Sequence, residues 1–204
     1  MTVLALIVII AILAFVITLI SVQRQYQHTR QHFRDLWTDH VVWTRLYIIS
    51  ALQNLPDKAE NAARLMQNQD EIGQAVAALY NQEVGQALAA LLKEHIMIAT
   101  QVISAAQTNN SSALTTAQAA WSKNGDDIAH ALSKVTGASL EKMKQMMKKH
   151  LETTTQEVVD YIQANYEADI QAYEEVKKHI LEMSDDIVDA IFRQQHPFLS
   201  RFLI

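Results

Sequence analysis

The chain is poor in the residues that interrupt helices or cross-link loops. Among its 204 residues it has no cysteine, two prolines and four glycines. The lack of cysteine excludes disulfides and thiolate-bound metals. A β-rich fold needs turn residues about every 8–12 positions, and too few are present here to supply them. Long uninterrupted helices are therefore predicted.

The chain also lacks the patterns that mark nucleic-acid binding and the common catalytic chemistries. Its net charge is −5, and acidic and basic residues are mixed along the sequence, so no basic stripe is available to a phosphate backbone. No G-x-S-x-G turn, phosphate-binding loop or dinucleotide glycine motif occurs. We therefore expect that the protein is not an enzyme and that nucleic acid is not among its partners.

A long hydrophobic run opens the sequence. Residues 2–22 contain no charged side chain, and Arg24 is the first charged residue. A helix of about 20 apolar residues spans the hydrocarbon core of a bilayer. A secretory signal peptide, the alternative, would start with basic residues and end at a small-x-small cleavage site, and neither is present. We expect residues 1–23 to be an uncleaved transmembrane anchor.

The basic residues beside this anchor predict its orientation. Arg24, Arg30 and Arg34 follow the hydrophobic run, whereas only the α-amino group precedes it. Because positive charge is retained on the cytoplasmic side, the predicted protein is integral and single-pass with its C-terminal body in the cytoplasm. In a viral membrane the equivalent side is the virion interior.

The rest of the chain predicts an all-α fold. From residue 24 to residue 196, apolar residues recur at three- and four-residue steps. Pro56, the polar segment 108–112, Gly137 and Pro197 mark the predicted boundaries between helices. The sequence thus predicts a transmembrane helix followed by an up-and-down bundle of about six helices.

Two asparagines predict further helix starts inside this bundle. Asn68 and Asn124 are each followed three residues later by an acidic residue, which is the spacing of a capping box. An asparagine at an N-cap and an acid in the first turn satisfy free amides and the helix dipole. We therefore expect helix interruptions at both positions. A cation site built on these acidic segments is the alternative.

Self-similarity along the chain indicates an internal repeat. His40, His95 and His150 are 55 residues apart, and the residues four positions before them are leucine, leucine and methionine. The segments that begin at Asn68 and Asn124 also match. Repeats of this length are typical of stacked helix pairs. We interpret them as a helix hairpin used twice, with the first helix as a leading half-unit.

The three histidines are the candidate binding residues. If helices one, three and five run in parallel, the imidazoles lie at one level and could bind zinc or another transition metal. Glu83 is a candidate oxygen ligand, and methionines at 143 and 147 would suit copper(I). The alternative is a structural layer in which buried histidines fix the packing of the helices and no cofactor is bound.

The sequence ends in an apolar tail, residues 197–204. Its hydrophobic residues are costly to leave in water and predict contact with a partner surface. The partners that we expect are the lipid bilayer and other protein subunits, including a second copy of the chain. The candidate interaction residues are Phe198, Leu199, Phe202, Leu203 and Ile204.

Four segments together resemble a known family. They are Arg64–Gly73, Leu91–Ile96, Trp121 with residues 124–128, and His150–Leu151. The sequence between residues 36 and 195 resembles a widespread, functionally uncharacterised family of small all-helical bundle proteins, here with an added N-terminal anchor. The resemblance implies a helical fold and no activity. Its members have glycine where this chain has Asn81, and no functional residue is carried over.

Three functions are consistent with these observations. The first is a membrane-anchored helical bundle with a structural or protein-interaction role. The second is a bundle that binds a metal or a small ligand through its core histidines. The third is a sensor module whose membrane helix is joined rigidly to the bundle.

Overall fold

The protein is all-helical in the part of the chain that its computed structural model describes, residues 2–202. This part contains six α-helices and a short 3₁₀ helix and no strand, as the scarcity of glycine and proline predicts. The elements are α1 (Val3–Leu52), α2 (Lys58–Leu79), α3 (Gln82–Gln107), α4 (Ser111–Thr136), α5 (Leu140–Ile162), α6 (Tyr166–Gln195) and η1 (Leu199–Phe202).

The long helix α1 has two halves with different surroundings. Its apolar N-terminal half packs against almost nothing, and no residue of its most hydrophobic window is buried. The first buried residue is Val22, and from there α1 contributes core residues as far as Ala51. The hydrophobic run therefore projects from the bundle as a continuation of its first helix.

The six helices form a closed ring. Each helix packs against the next one in the chain, and α6 packs against α1 to close the ring. Short connections make neighbouring helices antiparallel, so α1, α3 and α5 run in one direction and α2, α4 and α6 in the other. Further contacts of α3 with α1 and α5 lie inside the ring. The bundle predicted from the sequence is confirmed.

Most helix ends are where the turn-forming residues predict them. Asn81, Asn110 and Ser139 cap α3, α4 and α5 with side-chain oxygens that accept from backbone amides. Gly137 ends α4 at φ 72°, a left-handed conformation that costs a residue with a Cβ but not glycine.

The predicted interruptions at Asn68 and Asn124 are wrong. Both residues lie inside continuous helices, α2 and α4, and both are buried. Their amide groups donate across the bundle, from Asn68 to the carbonyl of Leu36 at 3.0 Å and from Asn124 to the carbonyl of Leu91 at 3.1 Å. The sequence around each asparagine matches that of a helix cap, but the side chain instead forms a hydrogen bond with a facing helix. The local sequence does not distinguish these two roles.

The backbones of α2 and α3 approach each other closely at two glycines. A Cβ placed on Gly73 would lie 2.7 Å from both the Ala89 Cβ and the Gly85 carbonyl oxygen. A Cβ placed on Gly85 would lie 2.5 Å from the Ala77 Cβ. These two positions therefore need glycine because of close approach rather than because of backbone conformation.

Candidate functional site

Three buried histidines meet inside the ring. His40 on α1, His95 on α3 and His150 on α5 are each at most 4% exposed. The ring centroids of His40 and His150 are 5.9 Å apart, and those of His95 and His150 are 6.0 Å apart. The equal spacing in the sequence places them at one level because their three helices run in parallel. We call these three residues the histidine layer.

Two of these histidines are held by an amide side chain from the following helix. Gln69 contacts the Nδ1 of His40 at 3.3 Å, and Asn124 contacts the Nδ1 of His95 at 2.7 Å; both partners lie 29 residues after their histidine. The residue at the same separation from His150 is His179, whose Nε2 donates to the carbonyl of Met146 at 2.8 Å instead. The Nδ1 of His150 has no partner.

The histidine layer is electrically neutral at physiological pH. Burial, followed by the proximity of His95, lowers the pKa of His40 to about 3. Burial lowers the pKa of His95 to about 4, although the hydrogen bond with Asn124 acts in the opposite direction and raises it. Burial and the neighbouring histidines lower the pKa of His150 well below its ordinary value. A neutral imidazole keeps a lone pair on one of its two nitrogens, and that nitrogen can accept a hydrogen bond.

Polar atoms around this layer are buried without hydrogen-bond partners. They are the Nε2 of His95, the Nδ1 of His150, the Oγ1 of Thr154, the Oε1 of Gln69 and the indole Nε1 atoms of Trp121 and Trp37. Buried polar groups in proteins are normally paired, and a cluster of exceptions calls for an explanation such as a ligand. His95, His150, Thr154 and Trp121 line one cavity of about 60 Å³, whereas Gln69 and Trp37 do not.

The fourth candidate ligand, Glu83, does not join the histidines. It lies twelve positions before His95 on α3, which places it about 18 Å away along the helix axis. There it lines a separate cavity of about 470 Å³ together with Val84 and Lys134. The structure therefore does not bring Glu83 together with the histidines, because residues close in the sequence lie at different heights along the bundle.

The methionines that suggested copper(I) belong to the hydrophobic core. Met143 and Met147 are 1% and 5% exposed and pack in the main core cluster. Within residues 2–202, no group of three or more histidine or acidic side chains has the arrangement of a metal site.

A charged layer lies one to two turns beyond the histidines, and sequence analysis missed it. Arg45 donates to Glu157 at 2.8 Å and to Asp169 at 2.6 Å, and its guanidinium lies 5.1 Å from the ring centre of Tyr173. Both carboxylates are 2% exposed. Arg45, Glu157 and Asp169 are named the charged layer, and they join α1, α5 and α6.

Burial is the largest influence on Glu157, whereas hydrogen bonding is the largest influence on Arg45. Burial raises the pKa of Glu157 to about 7, although the hydrogen bond and charge of Arg45 act in the opposite direction. The hydrogen bond to Asp169 is the largest cause that raises the pKa of Arg45. One sequence signal marks Glu157, although it does not identify Arg45 or Asp169 as its partners. At the 55-residue spacing, position 157 corresponds to Tyr47 and Val102, so Glu157 is an acid where the other two copies have less polar residues.

The apolar tail lies beside the apolar half of α1. The ring centroids of Phe198 and Phe202 are each 6.4 Å from that of Phe15. Leu199 packs against the main core, whereas Phe198 and Phe202 remain 59% and 61% exposed. Leu203 and Ile204, also candidate interaction residues, lie outside the described residues. The tail thus adds exposed aromatic rings to the apolar surface of α1.

Between residues 2 and 202, two helices are long and apolar enough to cross a membrane, α1 and α3. The most hydrophobic window of α1 is unburied and near the N-terminus, with a mean hydropathy of 3.5. The corresponding window of α3 has a mean hydropathy of 1.3 and is 39% buried, as expected for a core helix of a bundle. Of the two, α1 has the character of a membrane span.

Comparisons of the chain with profiles of known protein families, with curated proteins and with solved structures each found no match. The resemblance to a family of small helical bundles therefore stays a prediction.

Proposed function

We propose that this protein is a single-pass membrane protein whose helical body is held at one face of a bilayer, where it has a structural or protein-interaction role and no enzymatic one. The observation that carries the proposal is the uncovered apolar half of α1. Residues 3–22 form about 30 Å of helix, the thickness of a hydrocarbon core. Large hydrophobic side chains left exposed on a single projecting helix are otherwise costly in water.

The position of the tail supports the same proposal. Phe15 lies seven residues before Val22, the first buried residue, and thus about 10 Å beyond the edge of the bundle. Phe198 and Phe202 sit at the same depth. In a bilayer whose hydrocarbon core is spanned by residues 3–22, this position is about 10 Å inside the hydrocarbon, which is the depth that the apolar faces of interfacial segments reach. The tail then serves as a second contact with lipid or with an adjacent subunit.

The basic residues near the span support a cytoplasmic or virion-interior body. Arg24 is exposed just after the hydrophobic run. Arg30 and Arg34 follow, and both pair with Asp185 of α6, at 2.6 Å and 2.7 Å. The positive-inside rule counts such arginines whether or not they are later paired in the folded body. All three therefore favour the same orientation.

Membrane insertion is tested by alkaline extraction and flotation of the full chain expressed in cells. We expect the wild-type chain to stay with the membranes. Ile9→Arg with Ile12→Arg should release a large fraction, since each arginine near a helix centre costs about 2.5–3.5 kcal/mol of insertion. The matched control is Met97→Arg with Ile170→Arg, which changes two equally exposed apolar residues of the body. Release of the wild type by alkali contradicts the proposal.

The interaction role of the tail is tested separately. The double variant Phe198→Ser with Phe202→Ser removes two aromatic rings that are mostly exposed to solvent. We expect weaker self-association or partner cross-linking in native membranes, with extraction behaviour unchanged because the span is intact. Unchanged cross-linking would show that the tail is not the contact.

We further infer that the body consists of three hairpins, α1–α2, α3–α4 and α5–α6, rather than two with a leading half-unit. Asn68, Asn124 and His179 support this inference, since each donates to a carbonyl 32 or 33 residues earlier. His179→Asn, which introduces the residue of the other two copies, should change the free energy of unfolding by less than about 1.5 kcal/mol. A loss of folding would contradict equivalence of the three hairpins.

A further inference from the structure

The cavity beside the histidine layer is an elongated slot between α1, α3, α4 and α5, and α1 contributes His40 and Thr44 to its wall. On α3 its wall runs from His95 to Ala106, about 16 Å along the helix axis. The walls are aliphatic over most of this length, and the polar groups are gathered around the histidines. At about 60 Å³ the slot is larger than the roughly 10–15 Å³ that one water requires. It can therefore accept a ligand of a few non-hydrogen atoms.

The hydrogen bonds of His95 fix which of its nitrogens carries the proton. The amide nitrogen of Asn124 donates to the carbonyl of Leu91, an atom that can only accept. The amide oxygen of Asn124 consequently faces the Nδ1 of His95 at 2.7 Å and accepts from it. The proton of neutral His95 is on Nδ1, and its buried, unpartnered Nε2 presents a bare lone pair.

The tautomer of His40 is not fixed in the same way. The amide nitrogen of Gln69 donates to the carbonyl of Leu65 at 2.7 Å. The same nitrogen lies 3.2 Å from the Oδ1 of Asn68 and 3.3 Å from the Nδ1 of His40, so three acceptors share its two hydrogens. The defined acceptor of the histidine layer is therefore the Nε2 of His95.

This arrangement disfavours a metal bound by all three histidines. Among residues 2–202 no three histidine or acidic side chains have the geometry of a metal site, and the Nδ1 of His40 is contacted by the amide nitrogen of Gln69. It also disfavours a charged ligand, since no acidic side chain, lysine or arginine lines the slot. An ion would lose its hydration there without a counter-charge.

We propose that this slot binds a small uncharged ligand that has one hydroxyl, or an equivalent donor–acceptor group, on a short aliphatic body. The hydroxyl group donates to the bare Nε2 of His95, and the hydroxyl of Thr154 supplies a second unpaired polar partner. The aliphatic body lies along the apolar wall towards Ala106. This site is independent of the membrane anchor, and its test does not depend on insertion.

The probe is 1-propanol, titrated into the full chain in detergent micelles with ¹⁵N-labelled histidine. We expect a saturable change in the ¹⁵N shift of the His95 Nε2, with half-saturation at roughly 1–10 mM for a ligand of so few atoms. Propane at matched free concentration is the apolar control and should leave that nitrogen unchanged. Absence of a saturable shift, or an equal shift with propane, would overturn the proposal.

Two threonine variants separate the site from general partitioning into the micelle. Thr154→Val removes an unpaired hydroxyl in the slot and should weaken propanol binding roughly 3- to 10-fold. Thr115→Val makes the same change on an exposed face of α4 and should have no effect. An unchanged affinity in Thr154→Val would count against the proposed pose. One equivalent of zinc, lost when His40, His95 and His150 are all changed to alanine, would replace it with a metal site.

Discussion

The histidine layer and the charged layer are neighbours built on opposite electrostatic principles. His40 and Arg45 are five residues apart on α1, about 8 Å along the helix axis. In the histidine layer no counter-charge is supplied, and burial keeps the rings neutral with polar atoms left unpaired. In the charged layer one guanidinium engages two buried carboxylates and stacks over an aromatic ring.

The difference indicates different roles for the two layers. A charge that is buried with good partners locks the elements that carry it, here α1, α5 and α6, because loss of either partner leaves an uncompensated charge. Buried neutral groups with unpaired atoms cost stability, and a ligand can supply the missing partners without the desolvation of a charge. We therefore expect the charged layer to hold the ring closed, and the proposed binding belongs to the histidine layer.

The largest effect is expected on removal of the arginine. Arg45→Met leaves Glu157 and Asp169 buried without a positive partner, and the free energy of unfolding should fall by about 3–5 kcal/mol at neutral pH. Urea unfolding of the full chain in detergent, followed by tryptophan fluorescence, measures the change. Arg24→Met, an exposed arginine on the same helix, is the control and should have little effect. Equal stability of the two variants would remove the proposed role of the charged layer.

The histidine layer should make the protein more stable as the pH rises. In the unfolded chain the histidines bind protons below about pH 6.5, whereas in the folded chain the pKa values of His40 and His95 are about 3 and about 4. Their contribution is thus fully present above about pH 6.5 and is lost as the pH falls. His150→Phe removes one of three such groups.

The His150→Phe variant is measured by urea unfolding between pH 4.5 and pH 6.5. The slope of the free energy of unfolding against pH should fall by about 1.4 kcal/mol per pH unit, the value for one proton. An unchanged slope would mean that His150 is already protonated in the folded bundle.

The charged layer should give a pH dependence of the opposite sign. Burial raises the pKa of Glu157 to about 7, so the folded state holds a proton that the unfolded state releases above about pH 4.3. This contribution is present at low pH and is lost as the pH rises through about 7. In Glu157→Gln it disappears, and the slope in this window should become more positive by up to about 1.4 kcal/mol per pH unit. A slope change of the same sign as in His150→Phe would contradict the contrast between the layers.

The smallest stability effect is expected at Thr154. Its buried hydroxyl has no partner in the protein, so Thr154→Val removes no internal hydrogen bond. We expect the free energy of unfolding to change by less than about 1 kcal/mol in the absence of added ligand. A loss of several kcal/mol would show that this hydroxyl is part of the packing of the bundle and not of a binding site.

The sequence predicted features that depend on periodic spacing. The 55-residue interval and the parallel helices were enough to place the histidines at one level, and the apolar run was enough to separate the two halves of α1. Glu83 was proposed as a ligand because it lies near the histidines in the sequence. The structure places it at a different height along the bundle, away from the histidine layer.

Features that depend on long-range pairing could not be predicted. Arg45 is 112 residues from Glu157 and 124 residues from Asp169, and no local pattern links them. Asn68 and Asn124 were mistaken for caps since their partners, the carbonyls of Leu36 and Leu91, lie 32 and 33 residues away. In each case the deciding contact depends on how the helices are arranged around the ring.

The most direct test of this account is a pH titration of the histidine ring nitrogens by ¹⁵N NMR in the full chain. Between pH 7 and pH 5 we expect His40, His95 and His150 to remain neutral, with the proton of His95 on Nδ1. Protonation of any of the three above pH 5, or a proton on the Nε2 of neutral His95, would contradict this expectation.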